Sequence, residues 1–502
     1  MTDSHPTTPR TPEQNTRVHN KVYSGSGFMV ITRMSIKSIG LISSVVLARL
    51  LVPEDFGLVA IAMAIYAFIE LFGALGLGTV LIQRQSSNTD DYNTAWTFTF
   101  VFGFFAAACM AGLAPLVADF YQEPRLQNVI YVISLASIFS GAANIGVVNF
   151  QKDMDFRKEL RYQLIPKLIS FFITLTLALV YRNYWALVLG TVSSQLIRLV
   201  FSYIMHPFRP RFGFKSFNKL FSFSRWLLLN NVLLFLNERL SGLLVGSMLS
   251  TSAVGFFSLG REIAVLPTAE LAKPINRATF PVYARFKDDF VELRRAYLNT
   301  SAMTVALTMP AALGIALLAP LLVEVVMGAK WLPMAPLIQL FAIAGVLGSL
   351  TVNNSYVYMA CGKPNVMFTI NLLRTMLFFA LFFPLIDSNG LIGIGQARLA
   401  TTLIALSVVQ GIMLRFLQLS FTALLSALLR PVVSCAVMAL VVVLLQRTQI
   451  VEAQWLRLLV LVVAGGASYF FVSMATWYAQ RRPDGLERAV LDWLASWRQA
   501  RR

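Results

Sequence analysis

The sequence predicts an all-α polytopic membrane protein of about 14 spans, and three observations predict it. Hydrophobic residues make up 57% of the 502-residue chain and charged residues only 13%, with a mean hydropathy of +0.67, whereas soluble domains run near one-quarter charged. Apolar stretches of about 20 residues, enough to cross a hydrocarbon core about 30 Å thick, recur from Gly27 to Gln480. Lys and Arg gather in alternate connections, about 24 on one side against about six on the other. That bias places both termini in the cytoplasm and accounts for the net charge of +18 without a nucleic-acid partner.

Met1 to Asn20 is rich in Pro and Thr and lacks an apolar signal-peptide core, so residues 1–22 are expected to be a cytoplasmic tail. Spans follow from near Gly27, Phe56, Asn93, Gln127, Tyr162, Tyr184, Phe223, Ala253, Tyr297, Pro333, Pro364, Asn389, Leu424 and Trp455. Charges at Arg261, Glu262, Glu270, Lys273 and Arg277 interrupt the eighth. Pro267, Pro274 and Pro281 recur along it every seven residues, which bends a helix and frees carbonyls, as a moving part or a static kink.

An internal repeat orders these spans. ARLLVPEDFG, Ala48 to Gly57, is echoed in hydropathy by GSMLSTSAVG, Gly246 to Gly255; each sets Leu before a polar turn and Gly at the start of the next span. Six spans separate the copies, so both insert the same way up, related by an axis along the membrane normal. The expected plan is two six-helix lobes, 23–206 and 223–418, related by a pseudo-two-fold axis, then two C-terminal helices over 419–480. A basic, Phe-interleaved linker over 207–222 and a basic amphipathic tail over 481–502 are expected to lie on the acidic inner leaflet.

Soluble chemistry lacks its parts. There is no G-x-x-x-x-G-K-[ST] phosphate loop, and GALGLG, Gly73 to Gly78, sits inside an apolar span as a close-packing stretch. His5, His19 and His206 are scattered, and Cys109, Cys361 and Cys435 all lie in apolar spans. No metal, disulfide framework, cofactor or catalytic constellation is expected.

Charge inside the membrane carries the functional signal, since each such group costs at least about 2.5 kcal/mol at the centre. Arg33 and Lys37 share a face of the first span, with Lys37 near the midplane. Glu70 of the second span lies level with Arg33, so either the two pair or the cations serve a wet cavity. Glu238 of the seventh span and Arg261 of the eighth fall at similar outer depth, as a gate or a static pair. Arg374 and Arg398 fall at mid-membrane, where guanidinium groups suit phosphate oxygens or bind backbone carbonyls. Lys273 and Arg277 extend the set of candidate anion contacts. Asn230, Asn231 and Asn237 suit helix bridging or sugar hydroxyls.

VLARLLVPEDFGLVA, Val46 to Ala60, with FGALGLGTVLIQ, Phe72 to Gln83, resembles the polysaccharide-transporter branch of the multidrug/oligosaccharidyl-lipid/polysaccharide flippase superfamily, in particular Wzx-type lipopolysaccharide and colanic-acid exporters. The resemblance implies a transporter and not an enzyme: an inner-membrane flippase moving undecaprenyl-diphosphate-linked oligosaccharide repeat units to the periplasmic leaflet by alternating access. Its partners would be that lipid-linked glycan, membrane lipids, and the glycan polymerase and glycosyltransferases of the same pathway. Where relatives carry an acidic residue just before LGLG, this chain has Ala74 and Leu75, leaving Glu70 one turn earlier as the ion-coupling candidate. A peptidoglycan-precursor flippase handles a similar anionic lipid. An ion-coupled multidrug exporter is disfavoured by the cations of the first span.

Overall fold

The structure, a computed structural model, describes residues 34–73, 77–83, 87–216, 235–448 and 452–480. Every described part of the predicted apolar runs is helical, with no strand among the described residues. Among the described residues, nine helices are long and apolar enough to cross a membrane, ten if one bent pair counts as a span. Contacts divide the chain into two compact units, Met1–Gly255 and Phe256–Arg502.

The first unit contains α1 (34–50), α2 (Pro53–Gly73), α3 (Leu77–Gln83), α4 (Thr89–Phe120), α5 (Arg125–Ala142), α6 (Asn149–Lys152), α7 (Phe156–Tyr181), α8 (Trp185–Met205) and α9 (Ser241–Met248). α4 begins at a capping box: the Asn88 side chain accepts from the Asp91 amide, and Asp91 from the Asn88 amide. α5 and the short turns after it bend by 67°. Asn144, fully buried, holds the bend: its amide donates to Ser202 Oγ at 2.8 Å, and its side chain donates to the Phe208 carbonyl and accepts from the Gly146 amide. α4 and α5 pack through Gly103 and Gly141, whose Cα positions leave no room for a side chain against the Ser137 and Thr99 carbonyls. Gly73 likewise gives its space to the Phe102 ring, so this end of GALGLG serves packing as expected.

In the second unit a single helical path runs from Thr251 to Arg285, starting in the last residues of the first. Its parts are α10 (Thr251–Pro267), a π-turn (Thr268–Ala272) and α11 (Lys273–Arg285). The π-turn lies between Pro267 and Pro274, where each proline removes an amide donor and the i→i−4 ladder is re-registered. Where charges were expected to interrupt the span and prolines to bend it, the chain keeps one helical path with a ladder defect inside it. α12 (Phe290–Val326), α13 (Ala335–Ser349), α14 (Val352–Ala360), α15 (Pro364–Phe416), α16 (Phe421–Thr448) and α17 (Gln454–Ala479) follow. Straight, the 53 residues of α15 would reach about 80 Å. Gly390, with φ 55° and ψ −132°, breaks them into two helices at the boundary expected near Asn389.

A closed polar ring sits among α12, α14 and α15. Tyr297 Oη donates to Asn354 Oδ1 (2.9 Å), Asn354 Nδ2 to Gln410 Oε1 (3.3 Å), and Gln410 Nε2 to Tyr297 Oη (2.9 Å). All three are buried, and each finds both a donor and an acceptor in the other two, so none faces lipid without a partner. The last two helices dock on α12: Gln446 Nε2 donates to the Leu317 carbonyl, Tyr469 Oη to that of Ala306, and Leu318, Val442 and Leu461 pack together. Outer faces carry exposed Phe172, Val180, Phe470 and Phe471, as a lipid-facing surface requires. Asn354→Leu, which opens the ring but keeps volume, is expected to lower the stability of the purified chain by about 1–2 kcal/mol. An unchanged melting temperature would show that the ring contributes nothing.

Candidate functional site

Four residues of PEDFG, Pro53, Glu54, Asp55 and Gly57, have separate tasks at one end of the first unit. Pro53 starts α2, where its missing amide costs nothing. Glu54 pairs with Arg125, which also holds Glu123 at 2.7 Å, tying the end of α2 to the connection before α5. Asp55 is buried and accepts from the Val52 amide (3.1 Å) and the Tyr184 amide (3.0 Å), fastening α2 to the start of α8. Gly57 meets the second copy of the repeat.

That meeting is reciprocal. A Cβ on Gly57 would lie 1.7 Å from the Thr251 carbonyl oxygen, and one on Gly255 would lie 2.0 Å from the Pro53 carbonyl oxygen. Thr251 precedes Gly255 by four residues, as Pro53 precedes Gly57, so the two helix starts cross about a local two-fold axis. The repeat detected as a faint echo in hydropathy is thus a physical contact, backbone against backbone. Nearby, Tyr121 Oη donates to the Leu243 carbonyl at 3.0 Å, seating α9 on the same end.

Deeper in the first unit, Glu70 on α2 is half-buried, and its Oε1 is buried with no hydrogen-bond partner among the described residues. The Tyr66 and Ser137 hydroxyls are its polar neighbours, and Ser140 and the charge of Arg198 stand beside Tyr66. Arg198 lies over the Tyr162 ring, 5.9 Å from its centroid. Sequence reasoning passed over Arg198, although it lies about 20 Å along α8 and its depth alone marks it. Tyr66, Ser137 and Ser140 carry no such signal, since hydroxyls are ordinary in apolar spans.

In the second unit Arg374 and Arg398 come from the two halves of α15. Among the described residues, no carboxylate or other acceptor pairs with either guanidinium. Arg398 keeps solvent access although protein packs closely around it, and the positive charges of Arg374 and Arg261 both act on it. The two mid-membrane arginines therefore share one electropositive region, with Arg261 joining them from α10.

The other candidates are dispersed. Lys37 is exposed on α1, and Arg277 is exposed on α11. Arg33, Asn230 and Asn231 lie outside the described residues. Glu238 falls in the π-turn Leu236–Leu240, and Lys273 opens α11; the side chains of both, with that of Asn237, also lie outside what is described. The basic tail over 481–502 and most of the linker beyond residue 216 are outside it too. Among the described residues no group of His, Cys, Asp and Glu is placed to hold a metal.

Comparison with known proteins follows from this geometry. Residues 46–336 match the family described as polysaccharide biosynthesis protein. The lipopolysaccharide biosynthesis protein WzxC of Escherichia coli K12 is 26% identical over 369 residues, 72% of this chain and 74% of that protein. The teichuronic acid biosynthesis protein TuaB of Bacillus subtilis is 20% identical over 480 residues, 94% and 99% of the two chains. A structure of the lipid II flippase MurJ, inward closed, shares the fold with a TM-score of 0.72 at 15% identity, over 91% of this chain and 99% of that one.

Two consequences are measurable. Gly57→Ala is expected to lower the melting temperature of the purified chain, because a methyl group cannot enter the crossing. Gly112→Ala, with open space around it, should be neutral or raise stability by up to about 1 kcal/mol. Equal effects would contradict the crossing. Separately, the hydrogen bond and charge of Arg125 hold the Glu123 carboxyl below its usual range, against a smaller opposing effect of burial. A depressed carboxyl adds stability above its unfolded value and loses it as pH falls through the folded value. Acid titration of the melting temperature should therefore be shallower in Arg125→Ala, by roughly 0.2–1 kcal/mol below about pH 4. Superimposable curves would remove the pair from the stability of this end.

Proposed function

Since the chain belongs to the polysaccharide biosynthesis protein family, we propose that it is a flippase carrying polyprenyl-diphosphate-linked oligosaccharide repeat units across the bacterial inner membrane, from the cytoplasmic to the periplasmic leaflet. The observation that carries this reading is the mutual proximity in charge of Arg374 and Arg398, two guanidinium groups on apolar helices that have no acceptor among the described residues, with Arg261 in electrostatic reach. Groups so costly in hydrocarbon require an anion, and planar guanidinium forks match the oxygens of a diphosphate. Lys37, with Arg33, Lys273 and Arg277, would supply weaker contacts along the path, so that the anion is attracted without being trapped.

In this reading the lobes over 23–206 and 223–418 rock about a pseudo-two-fold axis along the membrane normal, with both termini cytoplasmic and the polyprenyl tail left in lipid. The local two-fold at Gly57 and Gly255 supports that symmetry. Glu70, with one buried oxygen unsatisfied, suits a proton site that couples the cycle to an ion gradient. Glu238 and Arg261 remain proposed as a gate. A multidrug exporter for cations is opposed by the same arginines. A peptidoglycan-precursor flippase would share the anion site and differ in the glycan it accepts.

Replacing Arg374 and Arg398 together by Ala is expected to cut glycan export roughly ten- to a hundredfold at equal protein abundance, with Lys37→Ala weaker. Export of surface polysaccharide from a deletion strain complemented by each variant measures this. Undiminished export in the double variant would remove the arginines from the path. Rescue of peptidoglycan synthesis in place of polysaccharide export would reassign the cargo.

A further inference from the structure

The chain leaves α8 as an extended segment that uses α4 as its hydrogen-bonding partner. The Arg211 amide donates to Asn93 Oδ1 (2.9 Å), the Gly213 amide to Thr97 Oγ1 (3.0 Å) and the Ser216 amide to Thr94 Oγ1 (3.3 Å). The alternate amides of Arg211 and Gly213 are spaced by about 6.6 Å, close to the rise of four helical residues, so Asn93 and Thr97, four apart on α4, satisfy these two, and Thr94 between them takes the amide of Ser216 where the segment turns. Between this segment and the first turns of α4 lies a cavity of about 650 Å³. Arg209, Arg211 and Lys215, all exposed, stand around it against one acid, Asp90, which reaches Lys215 at 3.6 Å.

An apolar track leads away from the cavity. Trp96, Phe100 and Phe104 stack at successive turns of α4, with centroids 5.0 Å apart at both steps, and Phe104 is exposed on the outer face. Phe212 covers the near end, 5.2 Å from Trp96 and 5.5 Å from Phe100, yet is 67% exposed itself. The 32 residues of α4 span about 48 Å, so its first turns project beyond a core about 30 Å thick, and Trp96 falls at the boundary. The cations thus stand at headgroup level and the rings at acyl level.

We propose that this cavity seats the phosphate headgroup of an anionic glycerophospholipid of the inner leaflet, with an acyl chain lying along Phe100 and Phe104. A soluble phosphate would use the cations and gain nothing from the rings. The lipid uses both. Occupied, the site would lock the extended segment onto α4 and α5 through Asn93, Thr97 and Asn144, making this end of the first unit sensitive to the charge of the leaflet.

Native mass spectrometry of the full chain, presented with phosphatidylglycerol or phosphatidylcholine, tests the site. Wild type should retain one phosphatidylglycerol selectively. Arg211→Ala with Lys215→Ala removes side chains while leaving the anchoring amides; it should weaken retention roughly thirtyfold, at about fivefold per cation. Arg211→Lys with Lys215→Arg should keep it, and Phe104→Ala should weaken the diacyl lipid alone. Equal retention of phosphatidylglycerol by wild type and the double Ala variant would overturn the proposal. So would full displacement by inorganic phosphate with Phe104→Ala indistinguishable from wild type, which would make this a soluble-anion site. Should the double Ala variant fail to fold, Arg211→Glu alone decides: unaltered lipid selectivity overturns the site. None of these variants touches Arg374, Arg398 or Glu70, so failure here leaves the transport reading standing.

Discussion

Two helix starts, Pro53–Gly57 and Thr251–Gly255, approach until the Cα of each glycine sits against a carbonyl four residues earlier on the other. Lipid offers no water to expel between helices, so association there relies on close backbone packing and hydrogen bonds. A side chain at either position would separate the pair by more than the crossing can absorb. Around this contact other residues of the motif become intelligible: Glu54 reaches Arg125 and Asp55 captures the start of α8, while Tyr121, from the end of α4, fixes α9 at the same end.

Polar groups at bilayer depth fall into two kinds. Tyr297, Asn354 and Gln410 donate and accept in a ring, each with a partner in the other two. Such groups specify which helices meet. Among the described residues, Arg374, Arg398 and one oxygen of Glu70 have no such partners, and a polar group left so within an apolar helix carries a cost that packing alone does not explain. The distinction lies in satisfaction, because both kinds read alike as polar letters within apolar runs.

The same distinction separates what could be read from residues and what could not. Arg374 and Arg398 were visible because charge within a span is rare and depth follows from counting. Arg198 carried an equal signal in the sixth span, and the structure gives it Tyr162 and Tyr66 as neighbours. Arg261 was expected at a depth similar to Glu238, whose side chain lies outside what is described; its charge also acts on Arg398, a proximity no count along one helix can supply. The three prolines of the eighth span were expected to bend the helix and free carbonyls; that the run stays helical through a π-turn depended on how the neighbouring turns re-registered their hydrogen bonds.

By itself the sequence determined the helical membrane class, the helical runs and their order, the two copies of the repeat and the charges that needed explanation. These follow from properties summed along the chain, since hydrocarbon thickness dictates run length and the cost of charge dictates where Lys and Arg collect. Only the tertiary structure decided that the repeat copies touch through glycine, that Arg374, Arg398 and Arg261 share a field, and that residues 207–216 lie along α4 above an aromatic track. Those facts depend on which distant segments meet, and hydropathy, being indifferent to partners, leaves that choice to packing and hydrogen-bond geometry.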